Sequence, residues 1–567
     1  MEPNPKPSTS VAMRPPSQVM RLARLGSFHQ SRLSFMRILT RRMSRENWTF
    51  TRPVFDIDDQ GVGHAVYCAH TPDRTYSLVA FAHDLPAESR SDRVIAEAWD
   101  STFTLFDGVP TAEDIARLQA NIPLQEAGRV TQTELSVSRA NRSVRLWEHV
   151  VGRLANGQQP DVDEISKVGY LMRTTAVYGS GKLGAADREM TASRTECAAP
   201  FQIEMLSVFL TRAYVRDLVQ HVANARGGTA AARLDPQIAR ASGIGNSTGL
   251  GMAPFLLNHP NLFNNWIVAR ETAISRIRSI SQASAAEVAL FLDLLSRSIL
   301  SANLWQSEHP IQIKKLAELR ADLQKLSTHT NGMDWEANTP WDHLYLWAEA
   351  NLGLDAQECV ASLMLEPYGD LVDPLADQMS DTNSSAFRID GSMSVSAARA
   401  ILERDYDWAL GMDWTERNTC ARAWYVSEEK LEPRLGERFD EPIADYEQPL
   451  APGRDAAALH DALTSWDKGD TIAAFLLAHP EHRHMVRRAQ ILDKAPYSEI
   501  RDNTIGSDLL PIDMLRCKLS FFGATHFDPR SDRWVRICLF GNAPYPEELQ
   551  SRGTDDWPYP PLGSDHG

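Results

Sequence analysis

The chain has 567 residues, 43% of them hydrophobic and 23% charged, enough for a sizeable core and for more than one domain. A formal net charge of −16 argues against nucleic acid as a general partner, because duplex binding rests on neutralising phosphates. No apolar run approaches the ~18 residues of a membrane span, so no membrane partner is expected.

Six cysteines, at 68, 197, 359, 420, 517 and 538, are scattered without a C-x-x-C pair. That is the pattern of reduced thiols in a cytoplasm rather than of a disulfide framework or a zinc knuckle. Ten lysines stand beside forty-eight arginines, a bias typical of a GC-rich bacterial genome.

Residues 1–46 read as a basic arm and helix. The first 50 residues hold Lys6 and eight arginines against Glu2 and Glu46. Leu22, Leu25, Phe28, Leu33, Met36 and Leu39 recur near helical spacing. The segment is expected to dock on an acidic body or on a partner subunit, the latter giving a homo-oligomer through this helix. The same Arg-rich, acid-poor composition also fits an organelle transit peptide.

Residues 47–125 read as a small antiparallel β-rich domain. "WTFTRPVFDI", "GVGHAVYCAH" and "RTYSLVAFAH" are strand-like runs separated by the turn sequences "DDQG" and "TPD". "RVIAEAWDSTFTLFDG" supplies a fourth strand or begins as a helix. Pro53 places the first strand at an edge or starts it late. A capped helix is expected over 111–121.

Residues 126–410 read as a helical core with glycine-rich loops. Helices are expected over 131–156, 162–177, 198–226, 258–281, 284–304 and 308–327, with helical character continuing over 340–410. The 198–226 helix is apolar almost all round and therefore buried. Its Arg212, Arg216 and Asp217 then need partners, as structural ion pairs or as site residues. Residues 411–456 are an acidic, proline-rich excursion. Residues 457–567 form a C-terminal α+β segment, closing with the strands "KLSFFGATHFDP" and "DRWVRICLFGN" around "DPRSD". The layout suggests that these strands return to the N-terminal sheet. The expected fold is α+β and predominantly α-helical: a helical core with an N-terminal antiparallel β meander and a C-terminal β hairpin.

Two glycine-rich stretches carry the functional reading. In "YGSGKLGAADR", Gly179, Gly181 and Gly184 spell G-x-G-x-x-G, a dinucleotide fingerprint only where a strand precedes it and a helix follows. The preceding "EISKVGYLMRTTAV" reads as helix, which weighs against that use. The Walker pattern fails because Ala176 and Leu183 stand where its first glycine and its hydroxyl should be. Three glycines in six residues cost chain entropy, which suggests that the backbone approaches something closely.

In "GIGNSTGLGMAPFLLNHP", residues 243–260, four glycines surround Asn246, Ser247 and Thr248. Such a turn can form an anion nest of backbone N–H groups. "GNSTG" also spells G-x-S-x-G around Ser247, the pattern of a nucleophile elbow, although a helix is expected before it. "GMAPFLLNHP" resembles the flexible serine loop of fumarase- and aspartase-type lyases at Met252, Pro254 and Asn258. It lacks that loop's lysine and its adjacent serine pair. The resemblance covers ten residues and implies an elimination.

The expected site joins these two loops. Arg173 and Lys182 hold a carboxylate, with Ser180 and Asn246 as further binding groups. Ser247 and Thr248, with backbone amides, stabilise an oxyanion or enolate. Tyr178 or His259 serves as acid or base. The expected function is a cytoplasmic enzyme acting on a small anionic, carboxylated metabolite by a lyase-type reaction. No cofactor is assigned, and no metal is expected. A non-catalytic helical scaffold and a nucleotide-dependent oxidoreductase are the competing readings. His479, His482 and His484 lack zinc-helix spacing and read as solvated. Asp370, Asp373 and Asp377 form either one carboxylate face for a divalent ion or a solvated acidic face.

Overall fold

The alternating runs of the first β-rich segment pair as an antiparallel meander: β1 (Thr49–Ile57), β2 (Gly63–His70), β3 (Thr75–Ala82) and β4 (Ser101–Asp107). The structure, a computed structural model, describes residues 11–86, 88, 98–121, 131–174, 191, 193–197, 199–248, 260–308, 310–379, 388–415, 452–501, 516–528, 535–551, 555 and 557. β1 lies at the edge of the sheet, and its pairing is interrupted between Thr51 and Val54, where Pro53 has no N–H to give to a ladder.

The sheet continues through β5 (Glu134–Arg142), β6 (Tyr170–Thr174) and β7 (Gly243–Thr248). It ends with β8 (His526–Asp528) and β9 (Val535–Leu539) in the order β1-β2-β3-β4-β5-β6-β7-β9-β8. The C-terminal hairpin thus joins the N-terminal sheet. The fold is α+β and mostly helical, with nine described strands in one sheet.

Two helical expectations and one expected turn give way to strands. Over 131–156, β5 comes first and a helix follows only at Trp147–Ala155. "ELSVSRANR" alternates polar and apolar residues from Glu134 to Ser138, the period of a strand, and is buried on both faces. Over 162–177, the helix stops at Val168. Gly169 caps it at φ 78°, in the left-handed region, and β6 begins at the next residue. Residues 243–248, expected as a turn, are the extended strand β7. The opposite correction applies to "KLSFFGATHFDP". Residues 518–522 are helical, Gly523 turns the chain at φ 92°, and only His526–Asp528 is strand.

The helices that matter below are α1 (Phe35–Arg45), α2 (Ala112–Asn121), α3 (Trp147–Ala155), α4 (Val162–Val168), α5 (Gln202–Gly227) and α6 (Pro236–Ala241). Helices α7 (Pro260–Arg278), α8 (Ala285–Leu304), α9 (Pro310–Asn331), α10 (Pro340–Asn351) and α11 (Leu354–Leu363) form the helical body. Ser284 starts α8 with a reciprocal capping box to Glu287. A smaller unit holds α12 (Val395–Asp405), α13 (Pro452–Thr464), α14 (Ile472–Ala478) and α15 (Arg483–Lys494).

One hydrophobic core runs from Val19 to Trp557 and joins the N-terminal segment, one face of the sheet, α5 and the helical body. A second, from Val395 to Leu492, belongs to the smaller unit. α5 lies on the sheet: Phe209 meets Phe50, and Tyr214 meets Tyr67 and Phe103. Among the described residues, no helix is long and apolar enough to cross a membrane.

The basic N-terminal segment docks on an acidic surface of its own chain. Arg14 donates to Glu271 (2.7 Å) and Glu358 (2.7 Å), and Arg24 reaches Glu358 at 3.0 Å. Arg270 closes on the same carboxylate. Arg37 and His29 both hold Glu366, at 2.6 and 2.7 Å, while Arg41 binds Asp555 at 3.0 Å. Asp373 and Asp377, candidates for a metal face, are instead held by Arg32 and Arg42. Leu25, Leu33, Met36 and Leu39 are buried beneath this layer.

Burial alone would raise the Glu358 carboxyl, but the guanidiniums of Arg14 and Arg270 hold it down, to about 2 from a usual 4.5. A depressed carboxylate stabilises the fold fully above its unfolded value and loses that contribution as pH falls through the folded one. Glu358→Ala should therefore lower stability by about 3–5 kcal/mol at neutral pH. In chemical denaturation, the gap between wild type and variant should narrow between about pH 4.5 and 2. A constant gap across that range would contradict the assignment.

Candidate functional site

β6 and β7 are the one parallel pair among the described strands. Arg173 lies opposite Gly245 on one side and Asn141 on the other. Parallel neighbours end at the same edge, so the chain leaves the sheet at Thr174 and again at Thr248 from one side of the molecule. Ala140, Ser101 and Ala82 stand level with Thr174 across β5, β4 and β3, and Glu134, Asp107 and Tyr76 lie further along those strands, about 20 Å beyond at about 3.3 Å per residue.

The crossover helix α5 points its N-terminus there. Along its C-terminal half the His221 ring donates to the Asp58 carbonyl, in the β1–β2 turn, at 2.9 Å. There Gly61 packs against Val222. The N-terminal residues of α5 follow a turn tied to Tyr76 and Asp107. A helix N-terminus carries partial positive charge, and in open α/β sheets ligands sit beyond the carboxyl ends of parallel strands.

That turn, 193–197, is tied down by four contacts. Arg194 grips Asp107 with two bonds, at 3.1 and 2.6 Å. Tyr76 donates to Glu196 at 2.5 Å, and Arg74 pairs with the same carboxylate at 2.9 Å. Arg42 donates to the Thr195 carbonyl. Burial keeps the Tyr76 hydroxyl protonated far above its usual range. Burial also pushes the Cys197 thiol up to about 12, which rules it out as a thiolate nucleophile. These ties join residues more than 85 positions apart, and no local pattern announces them.

Arg173 and Asn246 are both buried on adjacent strands, but Arg173 stands opposite Gly245, so Asn246, the next residue, faces the other side of the sheet. The backbone of Ser247 and Thr248 continues β7, opposite Arg536 and Val535 of β9; their side chains lie outside the described residues. Tyr178, Ser180, Lys182 and His259 also lie outside the described residues, as do Gly179, Gly181 and Gly184.

Of the stretch 243–260, where an anion nest is expected, residues 243–248 are not a nest, and 249–259 lie outside the described residues. An extended strand paired on both sides commits its amides to ladders instead of curling them round an anion. The glycines there do answer a close approach, but to the protein. A Cβ at Gly245 would stand 2.5 Å from the Tyr170 ring, and one at Gly243 would strike Cys538 Sγ and the Leu539 carbonyl.

Other candidates resolve as structure. Arg212 spends its guanidinium on the carbonyls of Ser242, Ala543 and Arg240. Arg212 and Arg216 stack on the Tyr545 ring at 4.0 and 4.3 Å, clamping the C-terminal segment to α5. His479 and His482 stack on Phe475. Among the described residues, no three His, Cys, Asp or Glu side chains are placed to hold a metal ion. Comparison with protein-family models, curated proteins and solved structures finds no match for this chain.

Gly245→Ala should cost about 1–3 kcal/mol through overpacking against Tyr170. Gly332→Ala, whose methyl meets only the His329 carbonyl at 3.8 Å, should change stability by less than about 0.5 kcal/mol. Equal denaturation midpoints for the two variants would remove the close-packing account of β7.

Proposed function

We propose that the chain is a cytoplasmic enzyme acting on a small carboxylated anion, bound at the sheet edge where β6 and β7 end. The observation that carries this reading is the parallel pairing. β6 and β7, which precede and open the two glycine-rich stretches, run parallel, with the buried Arg173 and Asn246 near their C-terminal ends. A guanidinium suits the planar carboxylate by a bidentate grip. Hydroxyl donors suit the charge that develops when a proton is lost next to a carboxylate, as in an elimination. Arg173 and Lys182 are assigned to the substrate carboxylate, Ser247 and Thr248 to the developing oxyanion, and Tyr178 or His259 to proton transfer. Five cysteines among the described residues are unpaired thiols, consistent with a reducing compartment.

A nucleotide has one observation in its favour. A strand, β6, does precede Gly179-x-Gly181-x-x-Gly184, one half of the context the fingerprint needs. Against it, Glu204, which stands at the distance of a ribose-binding acid, lies in the first turn of α5 rather than at a strand end.

Thermal-shift titration separates the readings. A bound ligand at about 100 times its Kd adds about 2.7 kcal/mol to stability. Small mono- and dicarboxylates should raise the melting temperature, and NAD, FAD and ATP should not. Lys182→Ala and Ser247→Ala should each abolish the carboxylate shift while keeping the ligand-free melting temperature. An unchanged shift in both variants removes the assignment. A shift with nucleotides alone favours the oxidoreductase reading, and no shift with any ligand favours the scaffold.

A further inference from the structure

Helix α8 carries a second apolar row, on the side turned away from the core. Phe291, Leu295, Ser298 and Ala302 are its buried residues, and the Phe291 ring meets Trp341. On the other side Leu290, Leu300 and Leu304 stand 42%, 50% and 73% exposed. With Ala286, Asp293 and Arg297 they recur at alternating spacings of four and three residues. That is the repeat of a coiled-coil seam, about 27 Å long at 1.5 Å per residue. Ala289, Ser296 and Asn303, beside the row, are exposed and uncharged. A lone exposed leucine is ordinary, but a heptad-spaced row opposite the core marks a surface that another helix covers.

The row is self-complementary about its middle. Leu295 lies midway between Leu290 and Leu300, between Asp293 and Arg297, and between Ala286 and Leu304. A two-fold axis at the level of Leu295 therefore lays the α8 of a second copy antiparallel on the first. Leu290 then meets the partner's Leu300, and the small Ala286 receives the partner's Leu304. At the centre, Arg297 pairs with Asp293 of its own helix at 2.9 Å. The inverted second pair sets each carboxylate against a guanidinium of the other copy, whereas a parallel copy sets like charges together. A polar pair inside an otherwise apolar seam fixes register and direction. Two-fold contacts, in which residue i meets residue j and j meets i, are the commonest in soluble oligomers.

We propose that α8 is a homodimer surface: two copies of this chain pair through it, antiparallel, about a two-fold axis at the level of Leu295. Leu290, Leu300 and Leu304 lose their exposure, and the two Asp293–Arg297 pairs join into one cluster of alternating charge on the axis. A single helix pair buries less than a standard interface, so the dimer dissociates with a constant on the order of micromolar. The proposal is independent of the site at the ends of β6 and β7 and stands if that reading fails.

Sedimentation equilibrium of the full-length protein tests it, from about 1 to about 200 µM, a range that brackets a micromolar dissociation constant. The mass should rise with concentration from one chain to two. Leu290→Glu and Leu300→Glu should each raise the dissociation constant at least about a hundredfold, since the two-fold axis buries each new charge twice. Their melting temperatures should stay near that of wild type, because both side chains are exposed in the single chain. Asp293→Arg should separate the copies by like charge, and Asp293→Arg combined with Arg297→Asp should bring them together again. That comparison carries the test if a leucine variant fails to fold. Oxidative cross-linking reads the direction: Leu290→Cys combined with Leu300→Cys should link two copies, and Leu290→Cys alone should not, since only the combination brings thiols within disulfide reach. One chain at every concentration, a dimer indifferent to the leucine variants, or cross-linking through Leu290→Cys alone would overturn the proposal.

Discussion

The parallel contact of β6 with β7 holds the architecture together. β7 is the strand through which the N-terminal meander, extended by β5 and β6, is joined to the C-terminal hairpin. Parallel neighbours cannot be linked by a tight turn, so the chain must travel the length of the sheet and return. α5 makes that journey, and it is apolar almost all round because it lies between the sheet and other helices. The seam it creates is tight enough that Gly243 and Gly245 have no room for a methyl group.

A second constraint is charge. The first 50 residues are strongly basic in an acidic protein, and the structure spends that charge internally. Glu358 collects Arg14, Arg24 and Arg270, and Glu366 collects Arg37 and His29. Such buried pairs add little net stability over well-packed apolar residues, yet are costly to break one partner at a time. They fix where the N-terminal segment lies rather than marking a site. Arg212 makes the same point with backbone carbonyls as its acceptors. In a chain with forty-eight arginines, a buried guanidinium is by itself weak evidence of a ligand, and position in the topology has to decide.

How much was legible in the sequence follows from these facts. β1 to β4 could be read because their turns carry Asp, Gly and Pro and their runs are rich in β-branched and aromatic residues. The long helices α5, α7, α8 and α9 could be read from their periodicity. β6 could not, and β5 is expected as helix although Leu135 and Val137 alternate with polar residues. Both are buried on two faces, and β6 is five residues long and follows a helix after a single glycine. Reading β6 as helix removed the strand that gives the first glycine-rich stretch its context. The close approach expected from chain entropy concerned Gly179, Gly181 and Gly184, which lie outside the described residues; Gly243 and Gly245 show a close approach of their own. Nothing in the sequence tells that the approaching groups there are Tyr170 and Cys538. The Tyr76–Glu196 and Arg194–Asp107 ties join distant parts of the chain and have no local signature.

The most direct test of the central claim is an experimental structure of the protein grown with a small dicarboxylate such as succinate. The account predicts one anion beyond the ends of β6 and β7, with a carboxylate oxygen about 2.7–3.2 Å from the Arg173 guanidinium. An edge closed by the protein's own side chains, with the anion bound only elsewhere, would contradict it.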